Sequence, residues 1–130
     1  MFATGVDIIE IQRIKGVLER WGTRFLNRVY TDGEIAYCRG RAQNLAVRFA
    51  AKEATMKALG TGLRRVGWKD IEVVRSEGGA PSIRLQNRAL LRAEKLGVKE
   101  LALSLSDSRD YAVAFVMAYM EDPGKDGSGR

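Results

Sequence analysis

The stretch "AQNLAVRFAAKEATMKALG" at 42–60 constrains the fold most, because it reads as one long helix that is apolar on two sides. At 100° per residue, Leu45, Phe49, Met56 and Leu59 share one arc, and Val47, Ala50, Ala51, Ala54 and Ala58 share the arc opposite. Such a helix needs cover on both sides and belongs in the middle of the molecule. Its charges are confined to the seams between the arcs. Arg48 and Lys52 fall in one seam and Glu53 and Lys57 in the other, each pair four residues apart. Taken alone, this spacing predicts an ion pair at 53/57 and two solvated cations at 48/52. Gly60 stops the helix, and Gly60-Thr61-Gly62 matches neither a Walker A loop nor a dinucleotide fingerprint. Beside Lys57, however, it would let a diphosphate approach the backbone.

The flanking segments supply the cover. "FATGVDIIE" at 2–10 has strand character, with Val6 and Ile8 on one face and Gly5, Asp7 and Ile9 on the other. From Ile11 the period changes: Ile11, Ile14, Leu18 and Trp21 form a helical arc. Arg13, Arg20 and, if the helix passes Gly22, Arg24 form a basic stripe opposite. A short helix begins near Thr31 or Asp32. "DIEVVR" and "SIRL" read as strands around the turn "SEGGAPS", and "NRALLRAEKLG" as a helix with a glycine stop. "LALSLS" and "YAVAFVMAY" alternate around "DSRD"; Leu101, Leu103 and Leu105 share one face, and Tyr111, Val113, Phe115, Met117 and Tyr119 another that is expected to make core. The expected class is α+β, an antiparallel sheet covered by helices, in one domain over 1–120 with a disordered polar tail at 121–130.

Composition then excludes chemistry. With 22 Lys and Arg against 16 Asp and Glu and no histidine, the net charge of +6 comes from Lys and Arg alone. Ser-His-Asp and Cys-His nucleophile pairs and His-ligated zinc are excluded. The single cysteine, Cys38, forms no internal disulfide and reads as an inert helix residue. The first residues lack the basic start and apolar core of a secretory signal, and no apolar run approaches the roughly 20 residues of a membrane span. The chain therefore reads as cytoplasmic, with no membrane partner.

Asp7 is the odd residue in its strand. A carboxylate there needs a cation or several donors, and Mg²⁺ takes one or two protein carboxylates while phosphates and water complete its shell. The plainer alternatives are a cap on the first helix or an ion pair with an arginine.

Three segments, "GVDIIEIQRI" at 5–14, "RFAAKEATMKALGTG" at 48–62 and "LSLSDSRDYAVAFV" at 103–116, together resemble the holo-[acyl-carrier-protein] synthases, the short 4′-phosphopantetheinyl transferases. "GGAPSI" resembles that family's Gly-x-Pro turn. The resemblance implies transfer of the 4′-phosphopantetheine arm of coenzyme A to a serine of apo acyl carrier protein, releasing adenosine 3′,5′-bisphosphate. It implies Asp7 and Glu53 as Mg²⁺ ligands, Lys57 at the diphosphate, and Glu53 or a metal-bound water as base. Arg48, Lys52, Gly60, Thr61, Gly62, Pro81 and Ser106 would contribute to the coenzyme A site. It further implies a homotrimer with active sites between subunits, and an acidic carrier protein for the Arg13, Arg20 and Arg24 stripe to bind.

One position departs from the family: Asp107 stands where most relatives carry histidine. Ser106, Arg109 or a cation from Arg64 and Arg65 would then replace it at the 3′-phosphate, or Asp107 would orient one of these cations. Two rival functions remain. A small basic α+β domain could bind RNA, though the aromatic face of the last strand is expected inside. A non-catalytic carrier-protein binding module would keep the arginines yet have no use for Asp7 and Glu53.

Overall fold

The structure is a computed structural model and describes residues 1–75 and 78–121. Strand β1 (Phe2–Glu10) leads into helices α1 (Ile11–Trp21), α2 (Thr23–Val29), α3 (Asp32–Cys38) and α4 (Ala42–Ala58). A 3-10 turn at Trp68–Asp70 precedes β2 (Ile71–Arg75) and β3 (Pro81–Leu85), then α5 (Asn87–Leu96), β4 (Val98–Asp107) and β5 (Tyr111–Met120). The strands form an antiparallel sheet in the order β1-β5-β4 and a separate β2-β3 hairpin. The expected α+β class, with helices covering an antiparallel sheet, is the fold observed. The tail at 122–130, and Ser76 and Glu77 of the expected turn, lie outside the described residues.

Helix α4 is buried on both of its apolar sides, as its pattern requires. Leu45, Ala50, Ala51 and Ala54 have no exposure, and Met56 and Leu59 have almost none. Its alanine arc lies against the inner face of the sheet, where β5 presents Ala112, Ala114, Val116 and Ala118, all fully buried. Methyl groups on both sides let the helix come close. The approach is tightest at Gly5, where a Cβ would overlap the Ala54 carbonyl oxygen and stand 2.8 Å from the Ala58 nitrogen. Only glycine fits that position of β1.

This close packing overturns the expected facing of β5. Its large residues do not make core: Tyr111 is 48% exposed, Phe115 39% and Tyr119 41%. With alanines filling the narrow gap to α4, the bulky side chains take the outer face, where Val6 pairs with Phe115 and Ile8 with Val113. Strand β4 behaves as expected, its leucines half-buried and packed against the core.

A second correction concerns α1, which ends at Trp21. Gly22 adopts φ +53° and α2 starts afresh at Thr23, so Arg24 does not continue the stripe of Arg13 and Arg20. Trp21 is accordingly exposed rather than packed with Ile11 and Ile14.

Candidate active site

Alternation along β1 turns Asp7 toward α4, in register with Ala114, whose small side chain leaves room for it. Glu53 and Lys57, one turn apart on α4, face it across the seam. Lys57 Nζ donates to the Val6 carbonyl at 2.9 Å and to Asp7 Oδ1 at 3.3 Å. The expected pairing of Lys57 with Glu53 is thus replaced by a pairing with Asp7, which does not cap α1 and meets no arginine among the described residues. Partial burial pushes the Glu53 carboxyl above its ordinary value, repulsion from Asp7 adds to this, and Lys57 opposes it. Two carboxylates close enough to repel, one of them disfavoured as an anion, gain from a shared cation, so the pair suits a divalent metal. Among the described residues no cluster of three or more such ligands occurs. Two protein carboxylates are what Mg²⁺ commonly takes beside phosphate and water.

The other seam behaves differently. Arg48 and Lys52 are not solvated: Lys52 has no exposure and Arg48 only 5%. Lys52 Nζ pairs with Glu34 Oε1 at 2.7 Å and donates to the carbonyls of Trp68, at 3.0 Å, and Ile71. This is a correction to its place among the coenzyme A residues, because all three of its protons are taken inside the core. Burial lowers the Lys52 pKa and Glu34 counteracts that shift. Glu34 was missed in the sequence, although Thr31 and Glu34 spell a capping box, which the structure forms on α3. Arg48 stacks on Tyr37 at 4.4 Å, and among the described residues its Nε has no hydrogen-bond partner. With Arg75, Arg84 and Glu72 it lines a hollow of about 200 Å³ between α3 and the hairpin.

The remaining residues occupy separate surfaces. Gly60, at φ +65°, ends α4, with Thr61 N donating to the Met56 carbonyl. Arg92, also missed, reaches from α5 to the Leu59 carbonyl at 3.1 Å. Gly62 has open space around its Cα, so packing within the chain does not demand a glycine there. Pro81 begins β3, and Ser106 lies exposed on β4. Asp107 accepts from Gln43 Nε2 at 2.9 Å and so orients the first turn of α4 rather than a cation. Arg109 shares an open hollow with Lys15 and Arg41 nearby. Arg20 and Arg24 both stack on the Trp21 ring, at 5.3 and 5.6 Å. Trp21, Arg24, Phe25 and Arg28 enclose a hollow of about 340 Å³. Arg13 stands exposed on the same helix as Arg20. Cys38 is buried and its thiol pushed up by burial, in keeping with an inert residue.

Comparison with known proteins identifies the family. Residues 3–116 match the 4′-phosphopantetheinyl transferase superfamily. The holo-[acyl-carrier-protein] synthase of Gloeobacter violaceus is 54% identical over 116 residues, 86% of this chain and 88% of that one. That of Herpetosiphon aurantiacus is 48% identical over 124 residues, 90% of this chain and 98% of its own. Among solved structures, the Helicobacter pylori holo-[acyl-carrier-protein] synthase in complex with coenzyme A superposes with a TM-score of 0.82 at 31% identity, covering 89% of this chain and 99% of that one. The chain belongs to the 4′-phosphopantetheinyl transferase superfamily, and within it to the holo-[acyl-carrier-protein] synthases.

Proposed function

We propose that this protein transfers the 4′-phosphopantetheine group of coenzyme A to a serine of apo acyl carrier protein, with Mg²⁺ held by Asp7 and Glu53 and adenosine 3′,5′-bisphosphate released. The observation that carries this reading is the meeting of Asp7, Glu53 and Lys57 across the seam of β1 and α4. The bound metal would offset negative charge on the diphosphate as the phosphorus–oxygen bond breaks. Lys57 would bind the same diphosphate, its ammonium lying beside the metal-holding carboxylates. Gly60 to Gly62 would let the diphosphate approach the backbone, and Arg48, with its unpartnered Nε, would bind an anionic end of coenzyme A. Glu53 or a metal-bound water would take the proton of the attacking serine.

The assembly is part of the proposal. Phe2, at 63% exposure, Val6, at 54%, and Ile8, at 63%, stand with Phe115 and Tyr119 on one apolar sheet face that asks for cover. A homotrimer built on this face would cover these side chains and set active sites between subunits. The charged residues on the face, Glu10 and Glu100, are acidic, which argues against RNA stacking on its aromatic rings. Carrier protein would dock on Arg13, Arg20, Arg24 and Arg28, with an apolar side chain in the hollow beside Trp21 and Phe25. Nothing in the residues described requires a compartment other than the cytoplasm, and no described helix is long and apolar enough to cross a membrane.

Mass spectrometry of apo carrier protein incubated with the enzyme, coenzyme A and Mg²⁺ tests the reading. The expected result is a mass gain of one phosphopantetheine on the carrier. An unchanged carrier mass with tight carrier binding would instead indicate a non-catalytic binding module.

A further inference from the structure

We propose that the buried Lys52–Glu34 pair is a positioning pair: it fixes the roll of α4 about its own axis and so the separation of Glu53 from Asp7. The inference rests on reading Asp7 and Glu53 as the metal-holding carboxylates. Its ground is the contrast between the two sides of α4. Toward the sheet the helix offers Ala50, Ala51, Ala54 and Ala58 to Ala112, Ala114 and Ala118, a contact of methyl on methyl whose polar tie, from Lys57 to Val6 and Asp7, is made by a half-exposed side chain. Gly5 sets how close helix and strand come, yet it carries no side chain to key their rotation.

On the other side, Lys52 Nζ is held by three oxygens from three different elements: Glu34 of α3, Trp68 of the 3-10 turn and Ile71 of β2. Glu34 is held as firmly. Its Oε1 accepts from Thr31 N at 2.9 Å and its Oε2 from Val73 N at 2.8 Å, and both members of the pair have side chains with no exposure. A buried ion pair gives up more solvation than an apolar pair of the same volume, so its gain lies in direction rather than in energy. Lys52 directly precedes Glu53. A helix with its side chains has a radius of about 5–6 Å, so a roll of about 20° would carry the Glu53 carboxylate by about 2 Å. Metal ligands tolerate departures of only about 0.2 Å.

Two sets of variants and two binding measurements test this. In Lys52→Met/Glu34→Gln neither charge is left uncompensated, so the fold is expected to survive, checked by circular dichroism and a cooperative melt. Mn²⁺ is titrated, with electron paramagnetic resonance reporting the free ion, into protein holding coenzyme A without carrier protein. The double variant is expected to bind Mn²⁺ about tenfold or more weakly than the parent, the scale of outer-shell effects. Its affinity for coenzyme A in EDTA is expected to stay within about twofold. Glu34→Asp keeps both charges, shortens the link by one methylene, and is expected to weaken Mn²⁺ binding in the same direction by less.

Mn²⁺ affinity equal to the parent's in the folded double variant overturns the proposal. A matching loss of coenzyme A affinity in EDTA also overturns it, because Lys52 would then act on the ligand itself. If the double variant does not fold, Glu34→Asp decides, and unchanged Mn²⁺ affinity there counts against positioning. A parent that binds Mn²⁺ but transfers nothing to any carrier defeats the proposed function alone. A parent that binds no Mn²⁺ defeats the positioning claim too.

Discussion

Lys57 reaches back fifty positions to place its ammonium 3.3 Å from Asp7 Oδ1, and it does so beside Glu53 of its own helix, which has no ion pair among the described residues. Lys57 therefore pairs with one carboxylate and opposes the upward push on the other. Because it lowers the Glu53 pKa against burial and Asp7, Lys57→Ala should raise that pKa further. In the metal-free protein the Glu53 titration should move to higher pH, and coenzyme A affinity should fall. NMR titration of the glutamate carboxyls in metal-free protein from about pH 4 to 8 checks this; a Glu53 midpoint that stays in place or moves down would contradict it.

Alanine at Asp7 or Glu53 should lower turnover by roughly a hundredfold or more, as removal of an electrostatic element of the transition state does. Transfer by the parent should stop in EDTA and return with Mg²⁺. Variants that retain full activity in EDTA would remove the metal from the account.

Glu53→Gln should separate stability from function. A carboxyl whose folded pKa is raised contributes stability below the ordinary glutamate pKa of about 4.3 and loses it as pH rises through the folded value. At neutral pH the amide should thus melt above the parent while transferring almost nothing, and near pH 4 the difference should vanish. Paired melting curves at the two pH values decide it, and a variant less stable than the parent at neutral pH would contradict the sign.

Gly5→Ala should destabilise the fold by about 3 kcal/mol or more, the upper part of the range for overpacking, because the clash is with backbone of α4 and not with a side chain that can turn away. Urea unfolding with the midpoint compared at constant slope is the measurement. A loss under about 1 kcal/mol would mean that β1 and α4 can separate.

Reversing Arg24 or Arg28 to glutamate should raise the Michaelis constant for carrier protein and flatten its salt dependence, leaving that for coenzyme A nearly unchanged. Kinetics for each substrate at low and physiological salt check it. Parent-like values for carrier protein at low salt would leave these arginines as ordinary solvated side chains.

Much of this was legible in the chain. The two apolar arcs of α4 required a central helix, and alternation put Asp7 on the same face of β1 as Gly5 and Ile9. Periodicity could not say which face of β5 turns inward, because both faces are apolar; the inward face is set by how near α4 comes, and so by Gly5. Nor does helical phase reveal that Lys52 is buried while Lys57 is not, since both sit at arc edges. That difference depends on Glu34, which lies eighteen residues earlier and meets Lys52 only once α3 folds across α4. Arg24 was misplaced because a single glycine, Gly22, turns the chain between two helices whose residues would otherwise run in phase.

The inverted sheet, alanines within and aromatics without, bears on how such a chain withstands dilution. A lone subunit keeps Phe2, Ile8 and Phe115 in water, and the proposed trimer would bury them. Its melting temperature should then belong to the solution as much as to the chain, climbing with protein concentration as any association-linked equilibrium does. The lower limit on how little of the protein can remain folded would be set by the outer face of one three-stranded sheet.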